Sequence, residues 1–185
     1  MNRRGKTIRL ARLKDSSCKR CKLCKSSRHV CILGKGNVMA SIMLIGEAPG
    51  AAEERTGKVF CGRAGKFLDK LLNSLDMKDR VYITNAVRCR PSDNRKPTSE
   101  EIHACQKYLD GELGIIKPKV ILLLGRTAIE AMGFGADVNA GSEGFLVNET
   151  WWAKGTWHPS YCLRRGKAAT RDLFKALLWA RERSK

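Results

Sequence analysis

The sequence predicts an α/β protein, a three-layer α/β/α sandwich around a mainly parallel, four-stranded central sheet. Three observations lead there. Four short apolar runs recur along the chain: Ser41–Ile45, Val81–Thr84, Lys119–Leu124 and the stretch from Trp151 to Trp157. The first and third are apolar beyond their opening residue, as strands buried on both faces are. Between the runs the apolar period lengthens to that of a helix, and alternation of strand with helix is the pattern of a parallel sheet.

Taken in order, residues 1–17 read as a basic N-terminal arm with no sustained apolar periodicity, and 18–185 as one domain. The first fourteen residues carry Arg3, Arg4, Lys6, Arg9, Arg12 and Lys14 without an apolar core stretch, which argues against a secretory signal. Residues 18–37 are rich in Cys, Lys and Gly and read as loop. After the first strand, Phe67, Leu68, Leu71, Leu72 and Leu75 fall at helical spacing. Thr98 and Glu101 form a capping box that opens a helix through Ile102, Cys105 and Leu109. Ala128–Met132 makes a short helix, and Ala168–Arg183 sets Leu173, Phe174, Leu177 and Leu178 on one face.

Composition narrows the partner. Lys and Arg number 36 against 18 Asp and Glu, a formal charge of +18 on 185 residues. Such a charge repels itself unless a polyanion neutralises it, and nucleic acid does so with release of condensed counterions. A hydrophobic fraction of 43% excludes a disordered basic tail. No run reaches the roughly 20 apolar residues of a membrane span, so no membrane association is expected. Eight cysteines without an export signal point to metal ligation, catalysis or burial rather than disulfides. Cys18, Cys21 and Cys24 form two overlapping CxxC pairs, but Cys31 lies too far on, and lacks the following proline, for a local ferredoxin-type cluster.

Each strand runs out into a polar or glycine-bearing segment: Gly46-Glu47-Ala48-Pro49-Gly50, Asn85, Gly125 and His158-Pro159-Ser160-Tyr161. Ligands of open parallel sheets sit at the carboxyl ends of the strands, which places Glu47, Asn85 and His158 along one rim. Each also has a plainer reading. The glycine segment is neither a phosphate loop nor a dinucleotide fingerprint and serves equally as a tight turn. Phe60 can plug a core, and Asn85 can cap a turn. His158 precedes a proline, which holds it out of the α region.

Together these stretches resemble the family-four uracil-DNA glycosylases of bacteria and archaea, iron–sulfur members of the uracil-DNA glycosylase superfamily. The matching segments are Gly46–Gly50 with Glu53 and Glu54, Thr56–Gly65, Tyr82–Pro91, Asn94-Arg95, Cys105, Leu124-Gly125 and His158–Tyr161. The resemblance runs from about Cys18 to the C-terminal helix. It implies a monofunctional enzyme that flips uracil out of DNA, hydrolyses its N-glycosidic bond and leaves an abasic site in base excision repair. It also implies a monomer acting in the cytoplasm, at the nucleoid in a bacterium, on uracil-containing DNA, single- or double-stranded.

Carried over position by position, the resemblance makes Glu47 the acidic group that positions or activates water and His158 the donor to uracil O2. Phe60 would stack on the base and Asn85 would bond its Watson–Crick edge, with Glu53 and Asn94 as further polar site residues. Ser160, Leu163, Arg164 and Arg165 would contact DNA, Leu163 as a wedge and the arginines on phosphates. Cys18, Cys21, Cys89 and Cys105 would hold a 4Fe–4S cluster. Spacing alone does not separate that set from a structural zinc site, and Cys24 or Cys31 can substitute locally. Val59 stands where the family has proline, and Cys61 and Cys162 where it has apolar residues. Three other readings compete: a non-catalytic iron–sulfur nucleic-acid-binding module, a redox carrier on the local cysteines, and covalent capture of DNA by a histidine. The last lacks its basic, histidine-bearing loop between Asn85 and Cys105.

Overall fold

A computed structural model describes the whole chain, Met1–Lys185. Its six strands are β1 (Lys35–Gly36), β2 (Ile42–Gly46), β3 (Val81–Asn85), β4 (Val120–Leu124), β5 (Phe145–Val147) and β6 (Trp151–Thr156). They form one sheet in the order β1-β3-β2-β4-β6-β5. The central four are parallel and coincide with the four apolar runs of the sequence. The expected strand count was short by two: β1 pairs antiparallel with β3, and β5 antiparallel with β6. Segments of two and three residues at a sheet edge carry no alternation to read, which is why they escaped the sequence.

Seven α-helices accompany the sheet: α1 (Arg3–Leu13), α2 (Ala51–Thr56), α3 (Arg63–Ser74), α4 (Ser99–Ile116), α5 (Arg126–Ala131), α6 (Pro159–Arg165) and α7 (Lys167–Arg183). Successive strand residues point to opposite faces. Met43, Ile45, Ile121 and Leu123 therefore meet Ile102, Leu109, Ile116 and Ile129 of α4 and α5 on one side. Ile42, Leu44, Leu122 and Leu124 meet Leu68, Leu72, Leu173 and Leu177 of α3 and α7 on the other. These two apolar layers make the three-layer sandwich. The capping box is present, with the Glu101 N–H donating to Thr98 Oγ1 (3.3 Å) and the Thr98 N–H to Glu101 Oε2 (2.9 Å).

The basic segment 1–17, read as an arm with no sustained apolar periodicity, contains a helix. Residues 3–13 are helical, and α1 lies along α4 with Leu10 buried. Lys6 Nζ donates to the Ile116 carbonyl (2.7 Å), one of the unpaired carbonyls at the C-terminal end of α4. The apolar contribution of α1 is confined to residues such as Leu10 and Leu13, too few to generate a period.

Because β2 lies between β3 and β4, the chain leaves β2 toward one side of the sheet and later returns on the other. This is the topological switch point of an open α/β sheet, where a crevice opens beyond the strand ends.

Candidate active site

The crevice at the carboxyl ends of β2, β3 and β6 has a volume of about 490 Å³, in the range of small-molecule sites. Its lining includes Glu47, Glu53, Phe60, Asn85, Asn94, His158, Ser160 and Arg164. Three separate strand ends thus deliver Glu47, Asn85 and His158 to one space, as the sequence pattern predicts.

Asn85 is the last residue of β3 and only 1% exposed, yet its Oδ1 has no partner in the protein. A buried amide oxygen left bare costs about 1–3 kcal/mol, so it marks a place where a ligand donor belongs. Gly46 makes room for it. A Cβ there would stand 2.6 Å from both Asn85 Oδ1 and the Phe60 ring.

Phe60 is 6% exposed and adopts a left-handed backbone conformation, φ 47°, unusual for an aromatic residue. The conformation is held from several sides. Lys35 Nζ donates to the Phe60 carbonyl (2.8 Å), and Gly65 lies so close that a Cβ would fall 2.1 Å from that oxygen. Glu53 fixes the next two residues. Its Oε1 accepts from the Cys61 and Gly62 N–H groups (2.8 and 2.7 Å), while Oε2 accepts from Gly50 N–H (3.1 Å). Glu53 therefore ties the loop after β2 to the loop that carries Phe60; both its oxygens are spent on backbone.

His158 caps α6 and faces Phe60, with ring centroids 5.9 Å apart and planes tilted by 35°. Its Nδ1 accepts from the Ser160 N–H (3.2 Å) and lies 2.8 Å from Ser160 Oγ. An Nδ1 that accepts leaves the proton of a neutral imidazole on Nε2. Burial, and after it the nearby Arg164, push the His158 pKa down to about 4 against the opposing effect of Glu53. The ring is neutral at physiological pH and offers one N–H donor.

Glu47 begins the loop after β2, with its carbonyl accepting from Val87 N–H (2.9 Å) and its Oε2 from the Thr127 hydroxyl (2.7 Å). The sequence reading missed Thr127, whose nearness to Glu47 depends on β4 lying beside β2. Arg63 and Arg95, also in the lining, were missed as well; a basic residue among so many gives no local signal. Asn94 stands at the exposed rim with φ 54°, and its Oδ1 accepts from Arg90 Nε (2.9 Å). Arg90 in turn pairs with Glu54 at 2.9 Å.

Helix α6 carries the other expected contacts outward. Leu163 is 43% exposed, and Arg164 and Arg165 are exposed beside it. Trp157 and Tyr161 stack at 4.5 Å, with the Arg165 guanidinium 5.8 Å from the Tyr161 ring.

Several cysteines gather near the segment that follows β3. Burial pushes the Cys21 and Cys89 thiols up and Cys105 up to about 12. Neighbouring thiols act the same way: Cys18 and Cys24 on Cys21, Cys21 and Cys18 on Cys89, and Cys21 and Cys89 on Cys105. Cys31, buried nearby, feels Cys18 and Cys89. The thiols do not close round a common point, and no three His, Cys, Asp or Glu side chains stand together as a metal-holding group. The donor set nevertheless suits the group implied by the motifs: soft sulfur ligands from three segments in one neighbourhood fit an iron–sulfur cluster or tetrahedral zinc. Cys61 lies 3.1 Å from Thr56 Oγ1, and Cys162 is buried with its thiol toward the Ala169 carbonyl (3.4 Å).

Comparison with known proteins agrees with this geometry. Residues 33–181 match the uracil DNA glycosylase superfamily. The type-4 uracil-DNA glycosylase of Thermotoga maritima is 40% identical over 154 residues, 79% of each chain. That of Sulfurisphaera tokodaii is 46% identical over 112 residues, 60% of this chain and 50% of its own. That of Archaeoglobus fulgidus is 44% identical over 115 residues, 62% of this chain and 57% of its own. The chain thus spans between half and about four-fifths of the length of these relatives. By that match and by its fold, the chain belongs to the uracil-DNA glycosylase superfamily, in its type-4 branch.

Proposed function

We propose that the chain is a monofunctional uracil-DNA glycosylase, hydrolysing the N-glycosidic bond of a flipped-out uracil and leaving an abasic site for base excision repair. The observation that carries this reading is the buried, unpartnered Asn85 Oδ1 beside the Phe60 ring and the neutral His158. Uracil presents N3–H as a donor next to O4 as an acceptor, which matches an amide offering Oδ1 and Nδ2. Cytosine presents the reverse pattern and leaves both groups opposed.

The chemistry follows from placement. Extruding a nucleotide costs a few kcal/mol, and contacts of the +18 surface with phosphates offset it. Phe60 stacks on the base and Asn85 fixes its edge. As the sugar–base bond breaks, negative charge grows on the uracil, and the His158 Nε2–H donates to O2. A preorganised donor of this kind contributes about 3–4 kcal/mol to the transition state. A neutral imidazole serves because it is already oriented by Ser160. Glu47 keeps Oε1 without a protein donor, free to orient and activate water for attack on the cationic sugar. Leu163 fills the gap left in the stack, while Arg164 and Arg165 hold the flanking phosphates. Cys18, Cys21, Cys89 and Cys105 would hold a 4Fe–4S cluster whose part is to cross-link the N-terminal loop to the segment after β3. One chain supplies every group named, so a monomer suffices for the proposed reaction.

The test is base excision on a uracil-containing oligonucleotide, with His158→Ala and Asn85→Ala beside the wild type. Each variant should lose on the order of 10²-fold or more in single-turnover rate, with DNA affinity within about threefold, because these donors act mainly in the transition state. Wild-type binding without abasic-site formation would favour the non-catalytic module instead.

A further inference from the structure

We infer that Thr127 is a positioning residue for the Glu47 carboxylate; the inference rests on the reading of Glu47 as the group that orients water. Glu47 is held from two sides of the switch point. On the β3 side its backbone is fixed, with Ala86 N–H donating to the Gly46 carbonyl and Val87 N–H to the Glu47 carbonyl, both at 2.9 Å. On the β4 side only its side chain is held, by the Thr127 hydroxyl at 2.7 Å.

Thr127 has no exposed surface and sits at the start of α5, directly beyond the end of β4. Valine has nearly the same shape and fills such a position without a polar atom. As the second residue of α5, Thr127 has no preceding turn of its own helix whose carbonyls its hydroxyl could reach back to. The hydroxyl instead crosses to another loop. A carboxylate only accepts, so the threonine must donate, and one Glu47 oxygen is committed to it. That commitment removes the freedom of the carboxylate to rotate and leaves Oε1 as the oxygen available to the cleft. Misplacing a reacting group by about 1 Å can cost on the order of 10²-fold in rate, so orientation is worth holding. The register supports a rigid linkage, because Ile45 and Leu123 are direct partners in adjacent parallel strands just before the two loops diverge.

The experiment measures single-turnover excision and oligonucleotide affinity for Thr127→Val, Thr127→Ser, Glu47→Gln and the Thr127→Val/Glu47→Gln pair, with melting temperature for each. Thr127→Val should excise about tenfold to a hundredfold more slowly, as expected for loss of a hydrogen bond to a charged group, with affinity within about twofold. Thr127→Ser should stay within about threefold of wild type, because it keeps the donor. In the Glu47→Gln background, the valine change should cost less than about twofold, since the carboxylate it serves is gone. Should the valine variant not fold, Thr127→Ala makes the same deletion. Wild-type excision by Thr127→Val, or an undiminished cost in the Glu47→Gln background, overturns the assignment of Thr127 alone. Wild-type excision by Glu47→Gln overturns the reading of Glu47 and the Thr127 assignment with it.

Discussion

Among single residues, His158 shows most directly how surroundings set chemistry. Burial and the nearby Arg164 outweigh the opposing Glu53 and bring its pKa from 6.5 to about 4. Between those values an unfolded chain binds a proton that the folded protein refuses. This group's share of stability is therefore complete above pH about 6.5 and is lost as pH falls toward about 4. The same shift keeps the Nε2–H donor in its neutral form down to mildly acidic pH. Titration of the His158 ring protons by NMR should show no protonation between pH 8 and 5; a midpoint between 6 and 7 would contradict the neutral donor. The sequence indicated the rim position of His158 through its proline neighbour but could not supply its charge, which depends on packing. Asn85 was ambiguous between turn cap and ligand contact until its burial and bare Oδ1 were seen. Thr127 was not legible at all: its partner is 80 residues away, and strand order cannot be read from one chain.

At the scale of elements, the loop between α2 and α3 exists to hold Phe60 in a conformation that the residue itself disfavours. Glu53 is the main clamp, accepting from three backbone N–H groups of two loops. The sequence resemblance places it among substrate-contacting residues; its hydrogen bonds give it a positioning part for the loop of Phe60, the residue proposed to stack on the base. Glu53→Ala should lower unfolding stability by about 1–3 kcal/mol, from backbone donors left unpaired, and slow excision with it. Glu53→Gln keeps an oxygen for the Cys61 and Gly62 donors and should retain most of both. Thermal melts alongside excision rates decide the matter; an alanine variant as stable and active as wild type would show that the loop holds itself. Elements with a strong period were legible: the central strands, α3, α4 with its capping box, and α7. Edge strands β1 and β5 were not, because pairing rather than pattern creates them. Nor was α1, whose docking rests on a few contacts such as Leu10 and Lys6.

For the whole molecule, the sheet does not secure the stretch that joins α1 to β1. Residues 14–34 contain no strand and one short 3-10 turn, so little backbone pairing ties them down. Tyr108 of α4 donates to Asp15 (2.8 Å), Ile32 N–H to the Arg88 carbonyl (3.0 Å) and Gly34 N–H to Glu112 Oε1 (2.7 Å), while Leu23, Cys31 and Ile32 are buried. A metal centre on Cys18, Cys21, Cys89 and Cys105 would join the N-terminal loop, the segment after β3 and α4. Cross-links closing long loops stabilise by roughly 2–5 kcal/mol, chiefly by restricting the unfolded chain. Two overlapping CxxC pairs made the ligand choice ambiguous in sequence. In the fold, Cys21 lies near enough to Cys89 and Cys105 to push both thiols up, which brings that distant pair to the N-terminal loop, with Cys24 also beside Cys21. Cys89→Ser and Cys105→Ser should therefore each lower iron and acid-labile sulfide content and the melting temperature, while Cys24→Ser and Cys162→Ser change neither. Protease sensitivity should appear first between residues 14 and 34, before the sheet is cut, because that segment loses its anchor while the two apolar layers persist. Full metal content after both the Cys89 and Cys105 replacements, with loss after Cys24→Ser, would move the centre to the local cysteines and detach it from the core. Zinc without sulfide would keep the same cross-link but change its chemistry.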